Sequence, residues 1–428
     1  VIVSNTRGSA GASGTALARC VGAHEADFAD RYWSRKPLLN KAPLTEADAK
    51  GAGFSDLFGP AAVDELVSRR GLRTPFARMA KDGSVVATSA FTRSGGVGAT
   101  IGDQLADDKI LAQVASGATL VLQALHRTWP PLVDFGCLLA AELGHPVQIN
   151  AYVTPPQNQG FAAHYDTHDV FVLQISGRKH WTIHEPVLTD PLPSQQWQQY
   201  RGEVAARAAE PPLLQATLEP GDSLYLPRGY LHSATADSEL SIHLTVGIHP
   251  VTRHAVLTHA LAELMKRPDL RTSLPMAVDL SQPETMAAEL AAATEALVAA
   301  LQDAPHDLLT AVTGRVGSDL DHDMRAAPIS PLAQLAAITE LTGDRRLRLR
   351  PGLRVAVQPH GDGVTLSALD KQITLAAAML PAVKAILGGA EFAPAELPGL
   401  DAAEQLVLTR RLLREALLVP AGEPAAGR

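Results

Sequence analysis

Only two cysteines, Cys20 and Cys137, occur in the 428 residues. Two thiols cannot build a disulfide framework, and without a CxxC spacing they do not suggest a thiolate zinc site. They read as reduced thiols, so a cytoplasmic location is expected. Long apolar runs are also missing. The most apolar stretch, 373–390, is broken by Pro381 and Lys384 and falls short of the roughly 20 residues that cross a bilayer, so no membrane segment is expected. Positive charge is not in excess. Lys and Arg total 37 against 45 Asp and Glu, a net charge of -8, which gives no chain-wide drive onto nucleic acid. The Gly-, Ser- and Ala-rich start lacks the apolar core of a signal peptide, and residues 1–16 are expected as a flexible tail.

Apolar material is plentiful, at 46% hydrophobic against 19% charged residues, which excludes a wholly disordered chain. The length suits two or three domains. Residues 17–143 read mostly as helix, with helical spacing at 57–70, 107–114 and 132–143, while 117–125 fits strand or helix. From 148 to 250 short runs at 148–153, 169–175, 180–184, 223–226 and 240–248 are separated by turns such as Ser176-Gly177 and Pro220-Gly221-Asp222. That spacing suggests a sandwich or small barrel. The stretch 188–212 reads as a long inserted loop over one face. Helical spacing returns at 254–265 and 283–301, as a dimerisation element or as a layer packed on its own chain. From 328 onward come a helix at 332–341, a hairpin of 354–358 and 364–367 turning at His360-Gly361-Asp362-Gly363, and helices at 375–387 and 402–418. Asp401 with Glu404 three residues on forms a cap for the last of these. Helices plus a hairpin resemble a winged helix. Acid and base are roughly balanced there, so direct nucleic-acid binding is not expected.

The residues that carry chemistry are His164, Asp166 and His232. His164 and Asp166 are two apart, so at the edge of a strand both side chains point to one face. His232 follows Tyr225-Leu-Pro-Arg-Gly-Tyr-Leu, where a strand leads through a Pro-Arg-Gly turn into a second strand that a barrel brings beside the first pair. Two imidazoles and one carboxylate are the ligand set of non-haem Fe(II) oxygenases, and they leave positions for a chelating keto acid and for O2. Lys179 starts the strand carrying Trp181 and Ile183, and alternation turns it inward with them. A buried ammonium there suits the distal carboxylate of a keto diacid, whose charge is costly inside a barrel unless paired. A solvated turn lysine is the alternative. Ser241, His243 and Thr245 share the polar face of their strand, toward a wet lumen or toward solvent. Asn150 and Tyr152 share a face of the strand before the metal pair, to contact the keto acid or substrate, or to form a buried hydrogen-bonded pair with no ligand.

The run Asn150-Ala-Tyr-Val-Thr-Pro-Pro, then Gln159-Gly160-Phe161, then His164-Tyr-Asp166 through Gln174, Gly177, Lys179 and Trp181 resembles the JmjC-type ribosomal oxygenases of the cupin superfamily. Tyr32-Trp33 with Lys36-Pro37-Leu38, and Gly117-Ala-Thr with His126 and Trp129-Pro-Pro, extend the resemblance. It implies an α+β fold: a double-stranded β-helix barrel with an N-terminal helical part (17–250), a helical dimerisation region (251–327) and a winged-helix domain (328–428). It implies Fe(II) held by His164, Asp166 and His232, with 2-oxoglutarate as cosubstrate alongside O2. Lys179 matches the residue pairing with the cosubstrate's distal carboxylate, as in the family's histidine hydroxylases; the bacterial arginine hydroxylase has Arg there. Asn150, Tyr152 and Thr245 match positions near cosubstrate or substrate. The implied activity is hydroxylation of a histidine or arginine side chain in a protein, a ribosomal protein in this family, by a homodimer. The alternatives are the same chemistry on a biosynthetic peptide or small molecule, and a non-catalytic binding or regulatory protein. With aromatics at 4%, no aromatic cage for methyl-lysine is evident.

Overall fold

The computed structural model describes residues 2–4, 15–42, 53–81, 83–98, 100–158, 161–277, 279–303 and 305–422. Most of the expected tail (1 and 5–14) and Gln159-Gly160 of the motif run lie outside them. The chain divides into two compact units, Val1–His249 together with Arg325–Arg428, and Pro250–Met324.

In the first unit, helix α1 (Ala16–Val21) starts at Thr15, whose Oγ1 accepts from Ala18 N at 3.0 Å and satisfies one of the orphan amides of the first turn. There follow β1 (Leu38–Asn40), α2 (Pro60–Ser68), β2 (Ala77–Lys81), β3 (Ser84–Val85), α3 (Asp107–Ala115), β4 (Thr119–Leu122) and α4 (Pro130–Leu143). Proline opens both α2 and α4, where its missing N–H has no partner to lose. The barrel continues with β5 (Val147–Thr154), β6 (Asp169–Ser176), β7 (Lys179–His184), α5 (Arg201–Ala208), β8 (Leu214–Leu218), β9 (Ser223–Leu226), β10 (Leu231–Ala236) and β11 (Ser241–Ile248).

Two antiparallel sheets result. One has eight strands in the order β1-β9-β6-β11-β5-β4-β2-β3, the other three in the order β8-β7-β10. Strand alternation sorts their side chains. Val170 and Val172 of β6, with Leu224 and Leu226 of β9, pack against Trp181, Ile183 and Leu218 of the smaller sheet. Phe171, Leu173, Ala151, Leu244 and Val246 point the other way, into a core shared with the helices through Val21, Leu66, Ile110 and Leu139. Burial on both faces explains why β6 is apolar nearly throughout.

The N-terminal 17–143 stretch, expected as mostly helical, supplies four strands of the large sheet. The ambiguous 117–125 run resolves to the fully buried strand β4. The 188–212 insertion is not a bare loop. It contains α5, whose Val204 packs with Tyr165 and Leu231 in a small cluster of its own.

The C-terminal part of this unit holds helix α9 (Pro331–Thr339), strand β12 (Leu347–Leu349), the hairpin β13 (Arg354–His360) and β14 (Gly363–Ala368), strand β15 (Lys371–Ala376), helices α10 (Leu380–Leu387) and α11 (Ala402–Arg414), and strand β16 (Leu418–Pro420). Ile2–Ser4 pairs with β13. The helix expected at 375–387 begins only at Leu380, because the residues before it pair with β14. Asp401 caps α11 as expected, its Oδ1 accepting from Ala403 N and Glu404 N at 2.9 and 2.8 Å. In return, Glu404 Oε2 accepts from Asp401 N.

Among its described residues the second unit contains three α-helices, α6 (Arg253–Leu264), α7 (Pro283–Asp303) and α8 (Pro305–Asp323). His259 Nε2 lies 2.8 Å from Asp319 Oδ2, tying α6 to α8.

Candidate metal centre

His164 and Asp166 lie on the segment leading into β6, and His232 is the second residue of β10. Backbone pairing brings them together. His164 N donates to His232 O at 3.2 Å and His232 N donates to His164 O at 2.8 Å, a lone antiparallel bridge. Asp166 is held from the same loop, its carbonyl accepting from Gly229 N at 3.0 Å. Gly229 has φ 91°, and a Cβ there would lie 2.5 Å from the Leu188 carbonyl oxygen, so only glycine lets the chain turn into β10.

One ligand atom each from His164, Asp166 and His232 falls within 4.8 Å of the others. The ring nitrogens are sorted by the backbone. His164 Nδ1 lies 2.8 Å from Ala162 O, and His232 Nδ1 lies 3.1 Å from Tyr230 O. A carbonyl only accepts, so each Nδ1 carries the proton and each Nε2 presents its lone pair. Burial, and then the neighbouring His164, push His232 down to about 4, so its imidazole is neutral at physiological pH. Burial works against ionisation of Asp166, but His168, His232, His164 and Arg78 together outweigh it and hold its carboxyl below the usual range. Two imidazoles and a carboxylate suit a divalent first-row metal with positions left open for other ligands.

These groups open onto a cavity of about 500 Å³. Lys179 is on its wall, 3% exposed, its Nζ donating to Thr154 Oγ1 at 3.0 Å. It makes no ion pair among the described residues, and burial pushes it down to about 7. The turn before it needs glycine, since a Cβ on Gly177 (φ 62°) would sit 2.2 Å from Leu240 O. An ammonium buried without a counter-charge fits an anionic ligand that completes the pair.

Tyr152 and Thr245 line the cavity too, while Asn150 is placed otherwise: its Oδ1 accepts from Ala124 N at 3.0 Å, and it is not part of the wall. Ala124 is in the left-handed region at φ 56°, and the Asn150 amide supports that turn. On β11, His243 and Thr245 face the cavity, and Ser241 is buried, accepting from Gln174 Nε2 at 2.9 Å.

Sequence reasoning named neither Arg78, Trp197 nor Thr154 for the site; it left His243 between a wet lumen and solvent, and turned Trp181 inward beside Lys179 without a role of its own. His243 stacks on Tyr152, centroids 4.9 Å apart at 7°, and burial, with Lys179 and His232 nearby, holds it well below its ordinary value. Arg78 lies over Phe161 at 5.3 Å. Three buried atoms of wall residues, Trp181 Nε1, His243 Nδ1 and Arg78 Nε, have no hydrogen-bond partner. Spacing could have found Thr154, two residues beyond Tyr152 on one face of β5. Arg78 sits on a strand that carries no pattern of its own.

Residues 137–256 match the JmjC domain family. The chain is 38% identical over 149 residues to a bifunctional lysine-specific demethylase and histidyl-hydroxylase NO66 of Culex quinquefasciatus, covering 31% of this chain and 21% of that protein. It is 40% identical over 118 residues to ribosomal oxygenase 1 of Homo sapiens, covering 27% of this chain and 18% of that protein. The protein is a JmjC-domain protein related to the ribosomal oxygenases. The matched regions span about a fifth of the length of these curated relatives. Over 94% of the chain the fold matches the structure of YcfD, a ribosomal oxygenase from Escherichia coli, in complex with cobalt and 2-oxoglutarate, at a TM-score of 0.51 and 17% identity, covering 99% of that chain. This likeness extends the shared α+β fold well beyond the JmjC domain.

Proposed function

We propose that this protein is an Fe(II)- and 2-oxoglutarate-dependent oxygenase that hydroxylates a side chain of a protein, a ribosomal protein being the favoured class. The observation that carries the reading is the pairing of two features on one cavity wall: a His-Asp-His cluster whose Nε2 atoms are turned to ligate, and a buried lysine without a counter-ion among the described residues. Ferrous iron held by His164, Asp166 and His232 would supply O2 activation, one oxygen atom ending on the substrate carbon and the other in succinate as 2-oxoglutarate loses CO2.

The chain's own residues do the positioning. Lys179 receives the distal carboxylate, with Thr154 fixing its ammonium. Val170, Val172 and Trp181 exclude water around it. Burial keeps Tyr152 a neutral phenol above its ordinary pKa, able to donate to a bound ligand. Thr245 stands across from Asn150 in the strand register and offers a hydroxyl to the same space.

Between histidine and arginine as target, the wall favours histidine. Among the described residues its cations are Lys179, Arg78 and Arg201, and its single carboxylate is Asp166, which the metal would take. A guanidinium entering there meets like charge and, among the described residues, no further acid to pair it, whereas a neutral imidazole does not. The relatives' histidyl-hydroxylase name agrees with this.

Succinate release from 2-oxoglutarate, with ferrous iron, ascorbate and histidine-bearing ribosomal peptides, tests the reading. Mass spectra of the host's ribosomal proteins with and without the gene should differ by one oxygen. No turnover of 2-oxoglutarate with any substrate would defeat it, and turnover confined to small molecules would move the target to a biosynthetic compound.

We further propose that the catalytic part is 17–250, followed by a dimerisation region at 251–327 and a winged-helix-like domain at 328–428, in a cytoplasmic homodimer. Leu257, Leu261, Met286 and Leu290 of the helical unit are exposed, which supports a second copy as its partner. The hairpin β13-β14 with helices α9, α10 and α11 supports the winged-helix reading. Light scattering on the whole protein tests the dimer.

A further inference from the structure

A second concavity lies away from the metal centre, between α2 and α3, with a volume of about 540 Å³. Pro60, Val63, Asp64, Val67 and Ser68 of α2 form one wall, at the i, i+3, i+4, i+7 spacing of a single helix face. Ile110, Leu111 and Val114 of α3 form the other, and Val153 and Ile242 contribute to its floor. Leu111 is 69% exposed and Leu240 is 40% exposed, so the trough has apolar side chains that the described residues leave uncovered. The nine residues of α2 give it a length of about 13 Å, two to three helical turns.

Charge selects the occupant. The charged residues lining the trough are Asp64, Asp107 and Asp108, with no lysine or arginine among them. Asp108 is engaged by Arg93, at 2.5 Å, which leaves Asp64 and Asp107 as the acids without an ion pair among the described residues. Two helical walls, an apolar floor and an acidic rim match the mode in which an amphipathic helix lays its apolar face into a groove. We propose that this trough docks an amphipathic helix of a partner protein, with aliphatic anchors on one face and lysine or arginine beside them. The site is independent of the oxygenase reading, since it shares no residue with the metal cavity.

The test is fluorescence anisotropy on the full chain with a labelled, lactam-stapled helical peptide carrying leucines at i, i+3 and i+7 and flanking lysines. Its counterpart has glutamate in place of every lysine. The lysine peptide should bind saturably, and the glutamate peptide about tenfold more weakly or not at all. Leu111→Glu should abolish binding. The double change D64N/D107N, both on exposed positions, should weaken it several-fold and flatten its salt dependence, with circular dichroism unchanged. Equal binding of both peptides, no binding of either, or binding that survives Leu111→Glu overturns the proposal. So does loss of a native dimer on Leu111→Glu, which would make a second copy the occupant. Iron and 2-oxoglutarate affinities should be the same in these variants, so a failure here is separable from a failure of the oxygenase reading.

Discussion

Lys179 and Thr154 meet across the barrel, the ammonium donating to the hydroxyl at 3.0 Å with no ion pair to the lysine among the described residues. A lone buried cation costs stability, and it is tolerated where a ligand completes the pair. Lys179→Met should therefore leave the ligand-free protein as stable as before or more so, while 2-oxoglutarate affinity falls by about 2–5 kcal/mol. Thermal melting and calorimetric titration separate the two effects. A drop in both would make Lys179 a structural residue.

The same lysine predicts a proton linkage. Burial holds it near 7 in the free protein, and an anionic partner favours the charged form. Binding of 2-oxoglutarate should take up a proton above pH 7 and weaken as pH rises further. Titrations in buffers of differing ionisation enthalpy report that uptake. Proton release, or none at pH 8, contradicts it.

His232→Ala and Asp166→Asn should each lower iron affinity by well over the roughly 10–100-fold that losing an outer hydrogen-bond partner costs. Metal content after dialysis reads this directly. The backbone bridge to His164 does not depend on the His232 imidazole, so both variants should remain folded.

Asp169 is fully buried and accepts from Tyr225 Oη at 2.6 Å, from Arg228 N at 3.0 Å and from Ser34 Oγ at 3.2 Å. It anchors the loop that carries Gly229 and leads to His232. Asp169→Ala removes the acceptor of Tyr225 Oη and of Arg228 N, while the Arg228 guanidinium keeps Asp190 at 2.9 Å, and should cost about 1–3 kcal/mol in denaturant unfolding. Iron affinity should fall with it.

His126 gives a pH signature away from the metal. Its Nδ1 accepts from Ile149 N at 3.0 Å, and burial, with Arg127 nearby, pushes it down to about 4. Between that value and the ordinary 6.5 the unfolded chain holds the extra proton. Its contribution to stability is therefore complete above about 6.5 and is lost as pH falls toward 4. The melting temperature of His126→Gln should depend less on pH across that window.

Much of this architecture could be read from residue order because burial imposes periodicity. The alternation of Ile242, Leu244, Val246 and Ile248 with Ser241, His243 and Thr245 separated two faces; the first set lies in the core, and the structure decides that His243 and Thr245 meet the cavity rather than solvent. Asp401 and Glu404 showed a helix start because capping is a local contact. Asn150 was less legible. Its face on β5 was clear, yet whether that face met a ligand or the Ala124 backbone depended on a turn 26 residues upstream. Arg78 was illegible, since Ala-Arg-Met-Ala-Lys has no sharp pattern and becomes a strand only by pairing with β4. The α5 insertion was hidden because its anchor is mainly Val204.

Val153 is both a neighbour in sequence of Tyr152 and Thr154 and part of the floor of the trough between α2 and α3. Successive strand residues face opposite sides, so a single layer of backbone divides a wet chamber from a greasy furrow. A larger side chain at 153 fills the furrow alone, while Tyr152 beside it shapes the chamber, so each compartment can be re-lined through its own alternate positions of one strand.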